Sequence, residues 1–244
     1  MLAEGELLPD GYTLYTFFQT AGRGQAGNSW ESEQGKNLLF STLIRPDNIL
    51  AGNQFCLSMF VALTITNVIN RLLMPHGLSA TIKWPNDIYV GDKKLVGILI
   101  ENSIAGNCVN TSIAGVGINV NQTVFLSDAP NPVSLVQLTG ETYDLHRLMQ
   151  LVSEEFAQLK YLLSEPAKLK SLYMQNLYRR QGFHPYVERE VSVVPTSIVQ
   201  QTNDCTFLAE IVDIDKSGCL CLLLSTGETK HYHFKQIRYV IPTT

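Results

Sequence analysis

Two short segments of this sequence bring charged and aromatic side chains together with glycine or proline. The first, residues 19–30, reads Gln-Thr-Ala-Gly-Arg-Gly-Gln-Ala-Gly-Asn-Ser-Trp and follows an apolar run at residues 14–18. Glycine lets the backbone turn sharply and approach a ligand closely, and the planar fork of Arg23 suits a carboxylate or a phosphate. Trp30 adds a flat face for stacking. A glycine-rich turn with a surface arginine is the alternative explanation of this segment.

The second segment is Lys-Trp-Pro-Asn-Asp at residues 83–87, followed by Lys-Lys-Leu-Val-Gly-Ile-Leu-Ile-Glu at residues 93–101. The proline break exposes polar side chains at a strand end, and Lys94 stands at the start of the next strand, after a tight turn. That position aims an ammonium group at an anionic ligand, although a solvated hairpin lysine has the same local sequence. Gly97 inside an apolar strand indicates the close approach of a ligand or of another backbone segment.

Together the two segments resemble the signature of the biotin protein ligases, or biotin–[acetyl-CoA-carboxylase] ligases, over nearly the whole chain. In that family a loop close to G-R-G-R-x-G-R precedes K-W-P-N-D and K-L-x-G-I-L-x-E. The resemblance implies that ATP and Mg²⁺ activate biotin to biotinyl-5'-AMP, which then modifies a lysine of a biotin carboxyl carrier protein. Two alternatives remain open: a lipoate or octanoate ligase or transferase of the same fold, and a catalytically weak biotin-binding regulatory protein.

The resemblance also implies roles for single residues. Joining a carboxylate to the α-phosphate of ATP requires fixed positive charge where the two anions meet. The implied catalytic residues are Arg23, Lys83, Asp87 and Lys94. Asp87 either helps to bind Mg²⁺ or accepts the proton of the incoming lysine, and no metal is held by the protein alone.

Two binding sets follow from the same resemblance. The implied biotin-binding residues are Gln19, Gly22, Arg23, Gly24, Gln25, Lys94, Gly97, Leu99 and Gly115. The implied ATP-binding residues are Trp30, Lys83, Asn86 and Asn119. Ordinary core packing is the alternative role of Trp30, and a structural turn is the alternative role of Asn86. The chain has no G-x-x-x-x-G-K-[ST] loop, so we expect ATP to be held without a P-loop.

The sequence departs from the family pattern at its beginning. The family has an earlier strand and helix with an Asp-Ser-Thr-Asn-like motif that hydrogen-bonds the biotin ureido ring, whereas residues 2–11 resemble only the tail of that helix. We therefore expect a misassigned start, a truncated chain or an incomplete pocket. Each missing hydrogen bond to a buried ring costs about 1–3 kcal/mol. A chain extended by about 35 residues, which would also cover the exposed sheet edge, is expected to bind biotin better and to be more stable. Full biotinylation activity from residues 1–244 alone would contradict this expectation.

The surrounding elements predict an α+β domain followed by a small all-β domain. The predicted strands of the first domain lie at residues 14–18, 37–44, 81–84, 87–90, 95–102 and 109–120, with the last two as central neighbours. The predicted helices lie at residues 53–73, 144–163 and 167–178. Short strands separated by turns are expected at residues 191–194, 206–213, 220–224 and 229–234. We place the catalytic domain at residues 1–182 and a small barrel at residues 183–244. The resemblance implies a catalytic domain like that of class II aminoacyl-tRNA synthetases, with a mixed sheet, and an SH3-like barrel.

The charge and composition of the chain argue against nucleic acid and membrane as partners. The net charge of −4 argues against sequence-independent nucleic-acid binding, and the winged helix of the family's repressor members has no room here, so we expect no DNA binding. Residues 55–73 are apolar but carry several polar side chains, which favours a buried helix over a membrane span. The resemblance implies a homodimer through the central sheet.

The cysteines and histidines predict no further chemistry. The five cysteines have no metal-ligand spacing, and the absence of a signal peptide favours a reducing cytoplasm. Cys219 and Cys221 share one face of a predicted strand and are expected to be small buried residues. His231 and His233 share a face of another predicted strand, but no histidine is arranged with a Ser or Cys nucleophile.

The glycine-rich loop yields a first testable prediction. Gln25 and Asn28 stand where the family loop has arginines, and hydrogen bonds to charged groups are about twice as strong as neutral ones. Without an acceptor protein, the double variant Gln25→Arg/Asn28→Arg should therefore release biotinyl-adenylate more slowly than the unchanged chain. Release is followed by rapid filtration of the protein-bound nucleotide. Equal release rates for the two proteins would contradict the prediction.

Overall fold

The computed structural model describes residues 8–24, 29–127, 131–189 and 206–242. These residues form two compact units that divide between Tyr178 and Arg179, just before the predicted boundary at residue 182. The predicted strand at residues 191–194 and the loop positions Gln25 and Asn28 lie outside the described residues.

The N-terminal unit is built on a six-stranded sheet and a two-stranded ribbon. The strands are β1 Thr13–Thr16, β2 Gly22–Arg23, β3 Ser29–Trp30, β4 Leu38–Ile44, β5 Ala80–Lys83, β6 Asp87–Val90, β7 Lys93–Ala105 and β8 Cys108–Ile118. The sheet order is β1-β4-β8-β7-β6-β5, which confirms β7 and β8 as central neighbours, and β2 pairs with β3. The strand pairs of the sheet are all antiparallel. Within the described ranges, parallel pairing, expected from the predicted mixed sheet, is confined to the isolated bridges of Ile82 with Leu177 and of Lys94 with Pro132.

In the part of the chain that the structure describes, four α-helices accompany the sheet: α1 Phe55–Leu73, α2 Leu135–Thr139, α3 Leu145–Leu159 and α4 Pro166–Gln175. Asp144 caps α3, because its side chain accepts a hydrogen bond from the backbone nitrogen of Arg147. Helix α3 ends earlier than predicted and continues as a 3₁₀ turn. Helix α2 was not predicted, although Ser134 and Gln137 form the reciprocal hydrogen bonds of a capping box.

Helices α1 and α3 pack on one face of the sheet. Ile98, Val116 and Phe40 are direct neighbours across β7, β8 and β4, and the ring of Phe40 contacts Phe156 of α3, which in turn contacts Phe60 of α1. Helix α1 lies within a segment that is long and apolar enough to cross a membrane, but 72% of its apolar window is buried inside the structure. It is therefore the core helix of this unit. Because side chains alternate along a strand, the residues next to this row point to the opposite face.

The C-terminal unit is a five-stranded antiparallel sheet. Its strands are β9 His184–Glu188, β10 Thr206–Ile214, β11 Leu220–Leu224, β12 Thr229–Tyr232 and β13 Ile237–Tyr239, in the order β12-β11-β10-β9-β13. Its core includes Tyr186, Ile211 and Leu222, all with no exposed surface. The sequence pattern predicted β10, β11 and β12 but missed β9, which contains a proline, and the short β13.

The packing of α1 against α3 gives a prediction about stability. Glu155 of α3 is only 2% exposed, and its carboxylate accepts hydrogen bonds from Asn67 and Arg71 of α1. Arg71→Met should lower the free energy of unfolding by about 1–3 kcal/mol, because it leaves a buried acceptor without its charged partner. Urea unfolding followed by tryptophan fluorescence measures this unit alone, since the two tryptophans, Trp30 and Trp84, both lie in it.

Arg147→Met is the matched control, because the ion pair of Arg147 with Glu154 is exposed on both sides. Its expected effect on the free energy of unfolding is below about 1 kcal/mol. Equal destabilisation by the two substitutions would contradict the prediction that the contact of Arg71 with Glu155 stabilises this unit.

Candidate functional site

A row of residues crosses the sheet on the face away from the helices. Lys83 pairs with Asp87, Asp87 with Gly97, and Gly97 with Gly117. Directly opposed residues project to the same side of an antiparallel sheet, so these four positions share one face. We call this side of β5–β8 the site face. The two glycines leave its centre without side chains.

The indole of Trp30 fills the space left by the glycine pair. A Cβ atom added at Gly97 would lie 2.6 Å from Cζ3 of Trp30, and one added at Gly117 would lie 2.5 Å from its Nε1. The ribbon partner of Trp30 is Gly22, so the glycine-rich loop is anchored to the sheet through this ring. The Nε1 atom of Trp30 is buried and has no hydrogen-bond acceptor among the described residues.

A bulge turns Lys94 towards this site. Ile88 pairs with Val96, but the next residue of β6, Tyr89, pairs with Lys94, so β7 contains one extra residue here. Such a bulge changes the direction in which a side chain points. The Nζ atom of Lys94 consequently lies 2.7 Å from Oδ1 of Asp87, with both side chains 22% exposed. It also lies 5.7 Å from the centre of the Trp30 ring.

Two further cationic side chains, Lys83 and Arg23, lie beside the site face. Nζ of Lys83 lies 5.3 Å from the centre of the Tyr89 ring. Burial, followed by the negative charge of Asp87, raises the pKa of Tyr89, so its phenol stays neutral beside this lysine. The Nη2 atom of Arg23 lies 3.4 Å from Oε2 of Glu101. The side chain of Arg23 is 75% exposed and that of Glu101 is 40% exposed. An exposed ion pair of this kind is weak, so Arg23 is held loosely at the loop.

The remaining predicted biotin positions adjoin the tryptophan. Leu99 pairs directly with Gly115, next to the Gly97–Gly117 pair. A Cβ added at Gly115 would meet no atom closer than 3.6 Å, so the indole does not cover this part of the sheet. The side chain of Gln19 packs against Gly22. Gly24 ends the described part of the loop, and Gln25 lies outside the described residues.

Asn86 and Asn119 use their side chains to hold the backbone. Both are nearly buried, with 4% and 3% of their surface exposed. The side-chain nitrogen of Asn86 donates to the carbonyl of Ile98, and that of Asn119 donates to the carbonyl of Val133 at 3.1 Å. This geometry favours the structural role of Asn86 that the sequence left open, and it gives Asn119 a similar one.

Glu31 was not predicted from the sequence. Its carboxylate accepts hydrogen bonds from the backbone nitrogens of Leu126 and Ser127, at 3.0 and 2.7 Å, and from the side chain of Gln122. Burial opposes ionisation, but these hydrogen bonds outweigh it and lower the pKa of Glu31. Glu31, the residue that follows Trp30, therefore holds the loop after β8 in place by these hydrogen bonds. The contact joins distant parts of the chain, and no local sequence pattern marks it.

The arrangement suits a flat, anionic ligand. Three cationic side chains, Lys83, Lys94 and Arg23, lie around the indole that covers Gly97 and Gly117, and the sheet surface at Gly115 beside it is uncovered. Fixed positive groups stabilise charge that develops between two reacting anions. The carboxylate of Asp87 is the acidic group in contact with Lys94.

Comparison with known proteins relates this chain to a family. The sequence model of the biotin/lipoate A/B protein ligase family matches residues 9–119. The chain is 31% identical over 232 residues to the bifunctional ligase/repressor BirA of Bacillus subtilis, which covers 92% of this chain and 65% of that protein. It is 32% identical over 145 residues to the biotin–[acetyl-CoA-carboxylase] ligase of Paracoccus denitrificans, which covers 57% of this chain and 59% of that protein. The matched region thus spans less than two thirds of either relative.

Among solved structures, the chain resembles the biotin protein ligase of Aquifex aeolicus in complex with biotin and ATP. The TM-score is 0.73 at 22% sequence identity, over 98% of this chain and 94% of that one. This likeness confirms the predicted α+β fold class.

The packing of the Trp30 indole on Gly97 and Gly117 can be tested without any ligand. Gly117→Ala should push the indole off the sheet, because the added Cβ would lie 2.5 Å from Nε1. Acrylamide should then quench the fluorescence of Trp30 more strongly, while Trp84, at 3% exposure, provides a constant background. Gly115→Ala is the control, since its Cβ would make only ordinary contacts. Equal quenching in the two variants would contradict the proposed seat.

Proposed function

This chain belongs to the biotin protein ligase family, and we propose that it activates biotin with ATP to biotinyl-5'-AMP. It then transfers biotin to a lysine of a biotin carboxyl carrier protein. The observation that carries this proposal is the convergence of Lys94, Asp87 and Trp30 on the glycine pair of the site face. The similarity to the Paracoccus denitrificans ligase supports the same activity.

Lys94 is the proposed centre of the activation step. The biotin carboxylate and the α-phosphate of ATP repel each other as they approach, and an ammonium group placed between them offsets that repulsion. The contact with Asp87 holds Lys94 in place at low exposure. Lys83, which pairs with Asp87 across β5 and β6, adds positive charge for the triphosphate.

Asp87 has two proposed tasks in the same position. Before substrates bind, it neutralises Lys94 and fixes its direction. During the reaction it either contributes a carboxylate to the Mg²⁺ that accompanies the ATP phosphates or accepts the proton of the acceptor lysine. The Mg²⁺ ion supplies charge neutralisation at the phosphates.

The two substrates are proposed to lie on either side of the tryptophan. Biotin occupies the sheet surface over Leu99 and Gly115, which the indole leaves uncovered. The adenine packs by Trp30, whose buried N–H is without an acceptor among the described residues. Gln19, Gly22 and Gly24 border the biotin position, together with Gln25, which lies outside the described residues. Asn86 and Asn119 are proposed to support ATP binding by shaping the backbone at the ends of β6 and β8.

Arg23 is the proposed lid residue. Its ion pair with Glu101 is highly exposed, so little free energy is lost when the guanidinium moves to a phosphate. An arginine fork binds phosphate in a two-point geometry that lysine does not offer. Closure of the loop over the mixed anhydride would exclude water from the reactive carbonyl.

Lipoate or octanoate is the alternative substrate, because the matched family model includes lipoate ligases. The Lys83–Asp87 motif and the Gly22–Gly24 pattern favour biotin. A weak regulatory protein is the other alternative, since Gln25 and Asn28 replace loop arginines. Incubation with ATP, Mg²⁺, either acid and a carrier domain separates these functions, because each acid adds a different mass to the carrier and a non-catalytic protein adds none.

We also propose a cytoplasmic location and a homodimer through the central sheet. Cys56, Cys108, Cys219 and Cys221 are all free thiols, which fits a reducing compartment. Sedimentation velocity of the purified chain measures the oligomeric state.

Removal of the Lys94 charge tests the proposed mechanism. Lys94→Gln should lower biotin-dependent exchange of pyrophosphate into ATP by about 10²–10³-fold, because a preorganised charge at the reacting centre is lost. Lys93→Gln is the matched control, since Lys93 is the exposed neighbour on the same strand and should exchange at the unchanged rate. Equal rates for the unchanged chain and Lys94→Gln would refute the assigned role.

A further inference from the structure

Cysteine and histidine side chains meet on one face of the β11–β12 hairpin in the C-terminal unit. Cys221 pairs directly with His231 across the two strands, and its Sγ lies 3.4 Å from Nδ1 of that ring. Cys219 and His233 lie on the same face, with Sγ and Nδ1 3.1 Å apart. Cys-x-Cys and His-x-His each lack the spacing of a metal motif within one segment, but strand pairing brings them together.

Asp215 directs one carboxylate oxygen into this cluster. Its Oδ1 accepts hydrogen bonds from the backbone nitrogen and hydroxyl of Ser217, at 2.9 and 2.6 Å, and from the backbone nitrogen of Cys219 at 3.0 Å. These bonds fix the carboxylate in the turn between β10 and β11. The second oxygen, Oδ2, lies 3.1 Å from Nδ1 of His231.

We propose that Asp215, Cys221 and His231 form a binding site for a divalent transition-metal ion, with zinc as the preferred ion. One donor atom from each residue lies within 4.8 Å of the other two. In a tetrahedral zinc site, bonds of about 2.0–2.3 Å place neighbouring ligand atoms about 3.3–3.8 Å apart. The distances from Nδ1 of His231 to its two partners, 3.1 and 3.4 Å, are close to that geometry.

The donor set selects the class of ion. Thiolate and imidazole ligands favour zinc and similar transition metals, whereas Mg²⁺ and Ca²⁺ require oxygen ligands. Metal binding displaces the thiol proton of Cys221 to solvent. The Nδ1 atom of His231 faces both partners, which leaves Nε2 to carry the ring proton.

The burial of the three residues leaves the metal an entry path. Cys221 is 3% exposed, while the side chains of Asp215 and His231 are 30% and 56% exposed. The ion would enter from the histidine side, where a water molecule completes the fourth position. The occupied site would join the turn before β11 to the edge strand β12.

Cobalt titration of the metal-free chain of residues 1–244 tests this proposal. Co²⁺ in a tetrahedral thiolate site absorbs in the visible range and shows a sulfur-to-metal band in the near ultraviolet. We expect both signals at one ion per chain, with loss of the signals when Zn²⁺ displaces Co²⁺. Cys221→Ser should remove the sulfur band, and His231→Ala should weaken zinc binding by about tenfold or more.

Two control variants test whether the signals come from the proposed site. Cys108→Ser changes a partly buried free thiol in the other unit, and His184→Ala changes a histidine of β9 that bonds the carbonyl of Gln181. Both variants should retain the full cobalt spectrum and zinc affinity. Absence of the sulfur band in the unchanged protein, or unchanged zinc affinity of a folded His231→Ala variant, would overturn the proposal. His231 is exposed, so this variant is expected to fold, and circular dichroism checks it.

Discussion

The site depends on the absence of a Cβ atom at two directly opposed positions, Gly97 and Gly117. Only this gap lets the indole of Trp30 lie on the sheet, because an added Cβ at either glycine would lie within 2.6 Å of the ring. The ring in turn anchors the β2–β3 ribbon that carries Arg23, and Glu31 beside it holds the loop after β8. One steric constraint thus positions both loops that border the site face.

The position of the charged side chains at the site also depends on the backbone. The bulge at Ile88–Tyr89 places Lys94 against Asp87 instead of on the helix-covered face. A lysine at 22% exposure is less costly beside a carboxylate than alone. The pair therefore holds the ammonium group of Lys94 in a fixed direction before any anion arrives, which is the condition that preorganised catalysis requires.

Local patterns in the sequence predicted several of the strands that carry the candidate residues. Apolar runs predicted β7 and β8 as central strands, and the proline break predicted polar residues at the start of β6. The bulge and the seat of Trp30 could not be predicted, because they arise from contacts between residues distant in the chain, such as Trp30 with Gly117. The same reason applies to the pairing of Cys221 with His231. Strand β9 was missed because Pro185 is unfavourable in a central strand.

A crystal structure with a stable biotinyl-adenylate analogue tests the central claim most directly. We predict the biotin moiety over Leu99 and Gly115, the linkage between the acid and the phosphate within hydrogen-bond distance of Nζ of Lys94, and the adenine beside Trp30. The indole should remain seated on Gly97 and Gly117. Binding of the analogue away from the site face, or expulsion of the indole by the ligand, would contradict the account.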